Sequence, residues 1–129
     1  IQFARPFVYT TALSPAIAAA ASTAIAIIRR EPERRAHLRD LIARFRSGAT
    51  QLGYTLMDSV TPIQPLLIGD TEAALALSDA LMSRGWYVPA IRPPTVPAGS
   101  ARLRVTLSAA HTAAQIDGLL AALNDARQS

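Results

Sequence analysis

The sequence predicts an α+β fold, with a small three-stranded, largely antiparallel sheet covered by helices and preceded by two further helices. Three observations carry this. From residue 63 onward the apolar pattern switches between strand and helix periods in the order β-α-β-β-α. Gly53, the pair Gly69-Asp70, and Gly85 stand where one period gives way to the next. Before Gly53 only helical patterning is present, first alanine-rich and then amphipathic. Such an order suits a layered arrangement with helices gathered on one face of a sheet.

Each element has a local reason. Ser14-Pro15 reads as an N-cap followed by proline at the first helical position, and the alanine-rich stretch beyond it can run to about Arg30. Its small side chains would let it pack closely as a buried helix. Pro32 breaks the chain. Leu38, Leu41, Ile42, Phe45, Ala49 and Leu52 then recur at helical spacing opposite Arg35, Arg39 and Arg46, which describes an amphipathic surface helix ending at Gly53. Ile63 to Ile68 reads as a strand. Asp70 is placed to cap a helix over 71–84, with Glu72 near the positive end of its dipole. Trp86 to Arg92 and Ala101 to Ser108 read as two more strands. Thr112 and Gln115 have the form of a capping box for a last helix burying Ile116, Leu119, Leu120 and Leu123.

At 129 residues the chain fits one ordinary domain, and half of it is hydrophobic with few aromatics, so the interior should be aliphatic. The net charge is +4, yet every basic residue is arginine. Arginine suits bidentate recognition of carboxylate and phosphate, whereas Schiff-base chemistry requires lysine, so no side chain of this chain can form a Schiff base. The absence of cysteine excludes disulfides, thiol catalysis and thiolate metal sites, and is compatible with a reducing cytoplasm. Two distant histidines, His37 and His111, give no metal-ligand spacing. The uncharged run Phe7 to Ile28 is interrupted by Pro15 and diluted by hydroxyl residues, so a helix of a soluble protein is expected there rather than a signal peptide or membrane span. The chain opens on Ile1, which suggests a piece of a longer protein.

The stretch Ile91 to His111 combines a proline-stiffened loop with a strand. Alternation puts Arg102, Arg104 and Thr106 on one face and Leu103, Val105 and Leu107 on the other. Pro93, Pro94 and Pro97 restrict the backbone around Arg92 and Thr95. A rigid display of arginine beside a stiff loop is suited to gripping a carboxylate. The wording Ile91-Arg-Pro-Pro-Thr-Val-Pro, the strand Ala101-Arg-Leu-Arg-Val-Thr-Leu ending in Ser-Ala-Ala-His111, and Arg5-Pro-Phe-Val-Tyr-Thr-Thr-Ala-Leu-Ser-Pro15 together resemble the α-oxoamine synthases over nearly the whole chain.

The resemblance implies the C-terminal portion of a fold type I pyridoxal-phosphate enzyme. Residues 1–30 would form an interdomain segment with the long helix, residues 31–129 the small domain, and the catalytic large domain would lie outside the chain. The implied reaction condenses pimeloyl-CoA, or its acyl-carrier-protein thioester, with L-alanine, with loss of carbon dioxide, in biotin biosynthesis. By the same resemblance Arg104 holds the substrate carboxylate and Thr95 lies near the substrate. Thr10 and Thr11 reach the cofactor phosphate of the neighbouring subunit in a cytoplasmic homodimer. The cofactor's lysine lies outside this chain, which alone should be inactive.

The same residues also have plainer readings. Arg104 alone could be an ordinary exposed arginine. Arg102 is expected to be a structural ion-pair partner, and His111 a local hydrogen-bonding residue. The arginines between Arg29 and Arg46 are interleaved with Glu31, Glu33 and Asp40 and lack stacking aromatics, so they read as a solvated helix face rather than a nucleic-acid surface. Trp86 and Tyr87 are expected to anchor the sheet. The alternatives are an α-oxoamine synthase forming 5-aminolevulinate or 2-amino-3-oxobutyrate, a stand-alone amino-acid-binding regulatory module, and a basic nucleic-acid-binding module.

Overall fold

A computed structural model describes residues 3–9 and 12–128. The chain forms two compact units, Ile1–Glu33 and Arg34–Ser129. The first holds α1 (Arg5–Val8) and α2 (Pro15–Arg30). Pro15 opens α2 as predicted, although the Ser14 hydroxyl makes no capping bond. The Glu31 N–H closes the helix on the Ile27 carbonyl, and Pro32 cannot continue the ladder. No residue of α2 is buried, contrary to the expectation of a buried helix. Its alanines offer little apolar area, Ile17, Ile25 and Ile28 stand exposed, and the unit's other helix has only four residues. Among the described residues no helix is long and apolar enough to cross a membrane.

The second unit has the predicted α+β architecture. After α3 (Glu33–Gln51), the chain forms β1 (Thr55–Leu56), β2 (Ile63–Gly69), α4 (Thr71–Ser83), β3 (Ala90–Ile91), β4 (Ala101–Thr106) and α5 (Ala113–Gln128). The sheet is antiparallel throughout, in the order β1-β2-β4-β3. It therefore has four strands rather than three, because a two-residue strand leaves no alternation to read. The predicted strand over Trp86 to Arg92 contracts to Ala90–Ile91. Pro89 accepts a bond from the Arg104 N–H at 3.0 Å but has no N–H to return.

One face of the sheet and the apolar faces of the helices form the core. Phe45, Leu66, Leu81, Leu103 and Leu123 are fully buried, with Leu41, Ile42, Val105, Leu107, Ile116 and Leu119 around them. Among the described residues Phe45 is the single aromatic of the buried hydrophobics, in keeping with the aliphatic interior expected from composition. Gly53, at φ 79°, ends α3 as expected, its N–H bonding the Thr50 carbonyl.

Both side-chain caps expected in this unit form. Thr112 Oγ1 accepts from the Gln115 N–H at 3.2 Å while Gln115 Oε1 accepts from the Thr112 N–H at 2.8 Å. Asp70 Oδ1 accepts from the Ala73 N–H at 2.8 Å. Asp70→Ala removes that acceptor and should lower stability by about 1 kcal/mol, read as a lower urea midpoint at unchanged m-value.

Candidate functional site

The alternation along β4 is as predicted: Ala101, Leu103 and Val105 are buried, Arg102 is half-buried, and Arg104 and Thr106 are exposed. Register places Arg104 across from Pro65, Thr106 across from Ile63, and Arg102 between Leu67 on β2 and Ile91 on β3. Arg104 thus stands on a strand locked by core side chains on its other face and by neighbours on both edges. Its guanidinium has no hydrogen-bond or ion-pair partner among the described residues. A fixed, unpaired cation of this kind is prepared to bind an anion without first breaking an internal pair.

Arg102 differs from expectation. It pairs with no carboxylate among the described residues. Instead Nε donates to the Ser100 carbonyl at 2.9 Å, Nη2 to Ser100 Oγ at 3.2 Å and Nη1 to Met57 Sδ at 2.9 Å. An arginine two positions along a strand from a carbonyl on its own loop finds that neutral acceptor first.

Thr95 is exposed in the loop joining β3 to β4, its N–H bonding the Arg92 carbonyl at 3.1 Å, and the Pro93–Pro94 peptide is cis. A shallow concavity of about 280 Å³ is lined by Ala90–Thr95, taking in Arg92 and Thr95 but not Arg104. The structure therefore puts the loop and the strand side by side in sequence without enclosing Thr95 and Arg104 in one cavity. Thr10 and Thr11 lie outside the described residues.

A buried polar cluster escaped sequence reading. Gln64 is fully buried in β2. Its Oε1 accepts from Arg46 Nη1 at 2.7 Å, and its Nε2 donates to the carbonyls of Thr61 and Ser59 at 2.6 and 3.2 Å. Arg46 Nη1 also lies 3.2 Å from the Met57 carbonyl. Arg46, expected on the solvated face, is thus half-buried and ties α3 to the 57–62 segment. The only signal in the sequence was a lone glutamine in an otherwise apolar strand.

The other arginines of the 29–46 stretch, Arg29, Arg30, Arg34, Arg35, Arg39 and Arg44, stand at the surface. Arg44 makes a two-pronged pair with Asp117 at 2.6 and 2.7 Å, whose hydrogen bonds hold the Asp117 carboxyl below its ordinary range. That pair's contribution is present above the ordinary carboxylate range and fades as pH falls through the lowered value.

The His111 Nδ1 accepts from the Ser108 N–H at 3.2 Å, the local role expected of it. His37 is exposed, and its Nε2–H donates to the His111 carbonyl at 2.9 Å, joining α3 to the loop before α5. Trp86 packs on the core beside Gly118, where a Cβ would stand 2.9 Å from the indole. Tyr87, by contrast, is exposed and does not anchor the sheet. A cleft of about 220 Å³ beside Trp86, Thr106 and His111 contains none of the sequence-predicted site residues. Among the described residues no group of acidic or histidine side chains could hold a metal.

Comparison with known proteins gives this geometry a context. The 8-amino-7-oxononanoate synthase of Pseudomonas paraeruginosa is 61% identical over 125 residues, covering 97% of this chain and 31% of that protein. The chain thus spans about a third of the length of the curated relatives it matches. Serine palmitoyltransferase from S. paucimobilis, solved with a bound PLP-myriocin aldimine, superposes with a TM-score of 0.87 at 32% identity, over 96% of this chain and 32% of that one. The 8-amino-7-oxononanoate synthase of Francisella tularensis gives a TM-score of 0.82 at 29% identity, over 99% of this chain and 37% of that one. Residues 1–123 match the family described as aminotransferase class I and II, and the chain belongs to that family.

Proposed function

We propose that the chain is the C-terminal part of a homodimeric, cytoplasmic 8-amino-7-oxononanoate synthase. The reaction joins L-alanine to pimeloyl-CoA, or to the matching acyl-carrier-protein thioester, with release of carbon dioxide, for biotin synthesis. The observation that carries this reading is the guanidinium of Arg104 on a rigid strand, unpartnered among the described residues, in a chain 61% identical to a synthase of that name. In the reading, residues 1–30 join two domains, residues 31–129 are the small domain, and a large domain elsewhere in the protein carries the catalytic lysine.

Pyridoxal phosphate is the cofactor of this reading, and its fit to the present residues is partial. The chain has no lysine, so it offers no amine to the cofactor's aldehyde. Its contribution would be hydroxyls, those of Thr10 and Thr11, toward the phosphate bound in the partner subunit. The cofactor when bound supplies the electron sink. Arg104 holds the amino-acid carboxylate by charge-assisted bonds worth about 1.5–3 kcal/mol, which fixes the orientation of the bonds at its α-carbon. Thr95 borders the same substrate. The small domain excludes water as it covers the site.

The test is an assay of the full-length polypeptide with paired substrates. L-Alanine with a pimeloyl thioester, of CoA or of acyl-carrier protein, should give the highest kcat/KM and release one carbon dioxide per product, while residues 1–129 alone give no product. Higher kcat/KM with L-serine and a long-chain acyl-CoA, or with glycine and a short one, would transfer the chain to another branch of the α-oxoamine synthases.

A further inference from the structure

We propose that Arg102 is a positioning residue: it sets the Arg92–Gly99 arch, and through it the placement of Thr95 toward the amino-acid substrate. This rests on the carboxylate-binding reading above. Both feet of the arch stand on Arg102. At the first foot, β3 ends at Ile91, whose strand partner is Arg102. At the second, the Arg102 side chain holds Ser100 twice, with Nε on the carbonyl at 2.9 Å and Nη2 on Oγ at 3.2 Å.

Ser100 passes the constraint inward. While accepting from Arg102, its hydroxyl donates to the Pro97 carbonyl at 2.6 Å, and its N–H reaches the same carbonyl at 3.2 Å. The third side of the guanidinium is fixed by Met57 Sδ at 2.9 Å. Gly69 adds a seat for this foot. Its φ of 90° is a conformation that side-chain-bearing residues rarely adopt, and it brings the backbone beside the Gly99 carbonyl, at ordinary contact distance (3.6 Å) from where a Cβ would stand. Between the feet, Pro93, Pro94 and Pro97 remove backbone freedom, so holding the ends restricts the tip.

Only a planar fork meets a carbonyl and a hydroxyl of one residue together, whereas an ammonium acts as a point donor. Arg102 touches no substrate in this account. It raises the fraction of molecules whose arch is ready to bind, and apparent affinity scales with that fraction.

The experiment uses the full-length protein with Arg102→Met, Arg102→Lys, Ser100→Ala and the double variant Arg102→Met/Ser100→Ala, and measures kcat and KM for each substrate. Arg102→Met should raise KM for L-alanine about 5- to 20-fold, with kcat and the thioester KM changed less than about twofold. Arg102→Lys should recover part of this. The double variant should add little to the larger single effect, because both act through one contact. Should Arg102→Met fail to fold, Ser100→Ala against Arg102→Lys supplies the same comparison. Additive effects, or equal losses in both substrates, would overturn the positioning role. If Arg104→Ala raises KM for L-alanine while the Arg102 and Ser100 variants do not, this inference alone falls. If Arg104→Ala is also silent, the carboxylate reading falls with it.

Discussion

Arg104→Ala in the full-length protein lowers kcat/KM for L-alanine by at least about 30-fold, the effect of removing one partner of a desolvated charge pair at about 2–5 kcal/mol. The reason lies in β4. Leu103 and Val105 are buried, so the strand cannot turn to bring Arg102 or another cation into the vacated place. Arg102 is in any case held by Ser100 and Met57. Arg104→Lys should recover only part of the loss, since one ammonium cannot reproduce a bidentate grip. Stability should hardly change in either variant, because the Arg104 guanidinium has no internal partner among the described residues to lose. Kinetics and urea unfolding measured on the same preparations separate the two effects.

Gln64→Leu is expected to be the most destabilising of the substitutions considered. Leucine fills similar space, so the loss is one of polar satisfaction rather than volume. Arg46 loses its 2.7 Å acceptor, the Thr61 carbonyl loses its donor, and the Ser59 carbonyl keeps only the 3.4 Å contact from Arg46 Nη1. Leaving buried polar groups unpaired costs about 1–3 kcal/mol each, and for this cluster roughly 2–5 kcal/mol in total. Gln64→Glu should also destabilise, by a different route: a carboxylate could still accept from Arg46 but would face two carbonyl oxygens with no proton to give. Among the described residues no buried side-chain nitrogen or oxygen is unsatisfied, so either change introduces a defect where there was none. Urea midpoints of the two variants against the parent chain measure it.

How much of this was legible in the sequence depended on whether a signal repeats. Helical periodicity over Leu38 to Leu52 and strand alternation over Ala101 to Leu107 each offer several concordant positions, and the apolar face of each was read correctly. Capping pairs are also local, and Asp70 and Thr112–Gln115 formed as written. Strand β1 has two residues and so no period at all. The partners of Arg46, Arg102 and His37 lie up to 74 residues away, or on a backbone carbonyl that carries no sequence identity. Side-chain charge suggested an ion pair for Arg102 and a solvated position for Arg46, but the fold brought neutral oxygens and a thioether closer. The burial of α2 failed for another reason: an alanine-rich pattern says that a helix can pack closely, not that this stretch of chain supplies what it packs against.

Arg104 and the loop at Thr95 were legible as a motif, and their spatial relation was not. The concavity around Ala90–Thr95 leaves Arg104 outside it, so a shared site depends on what the rest of the protein contributes. The direct measurement is a crystal structure of the full-length protein with pyridoxal phosphate and L-alanine bound. Both oxygens of the alanine carboxylate should lie within about 3 Å of the Arg104 guanidinium nitrogens. A carboxylate held by other residues, with Arg104 turned to solvent, would contradict that placement.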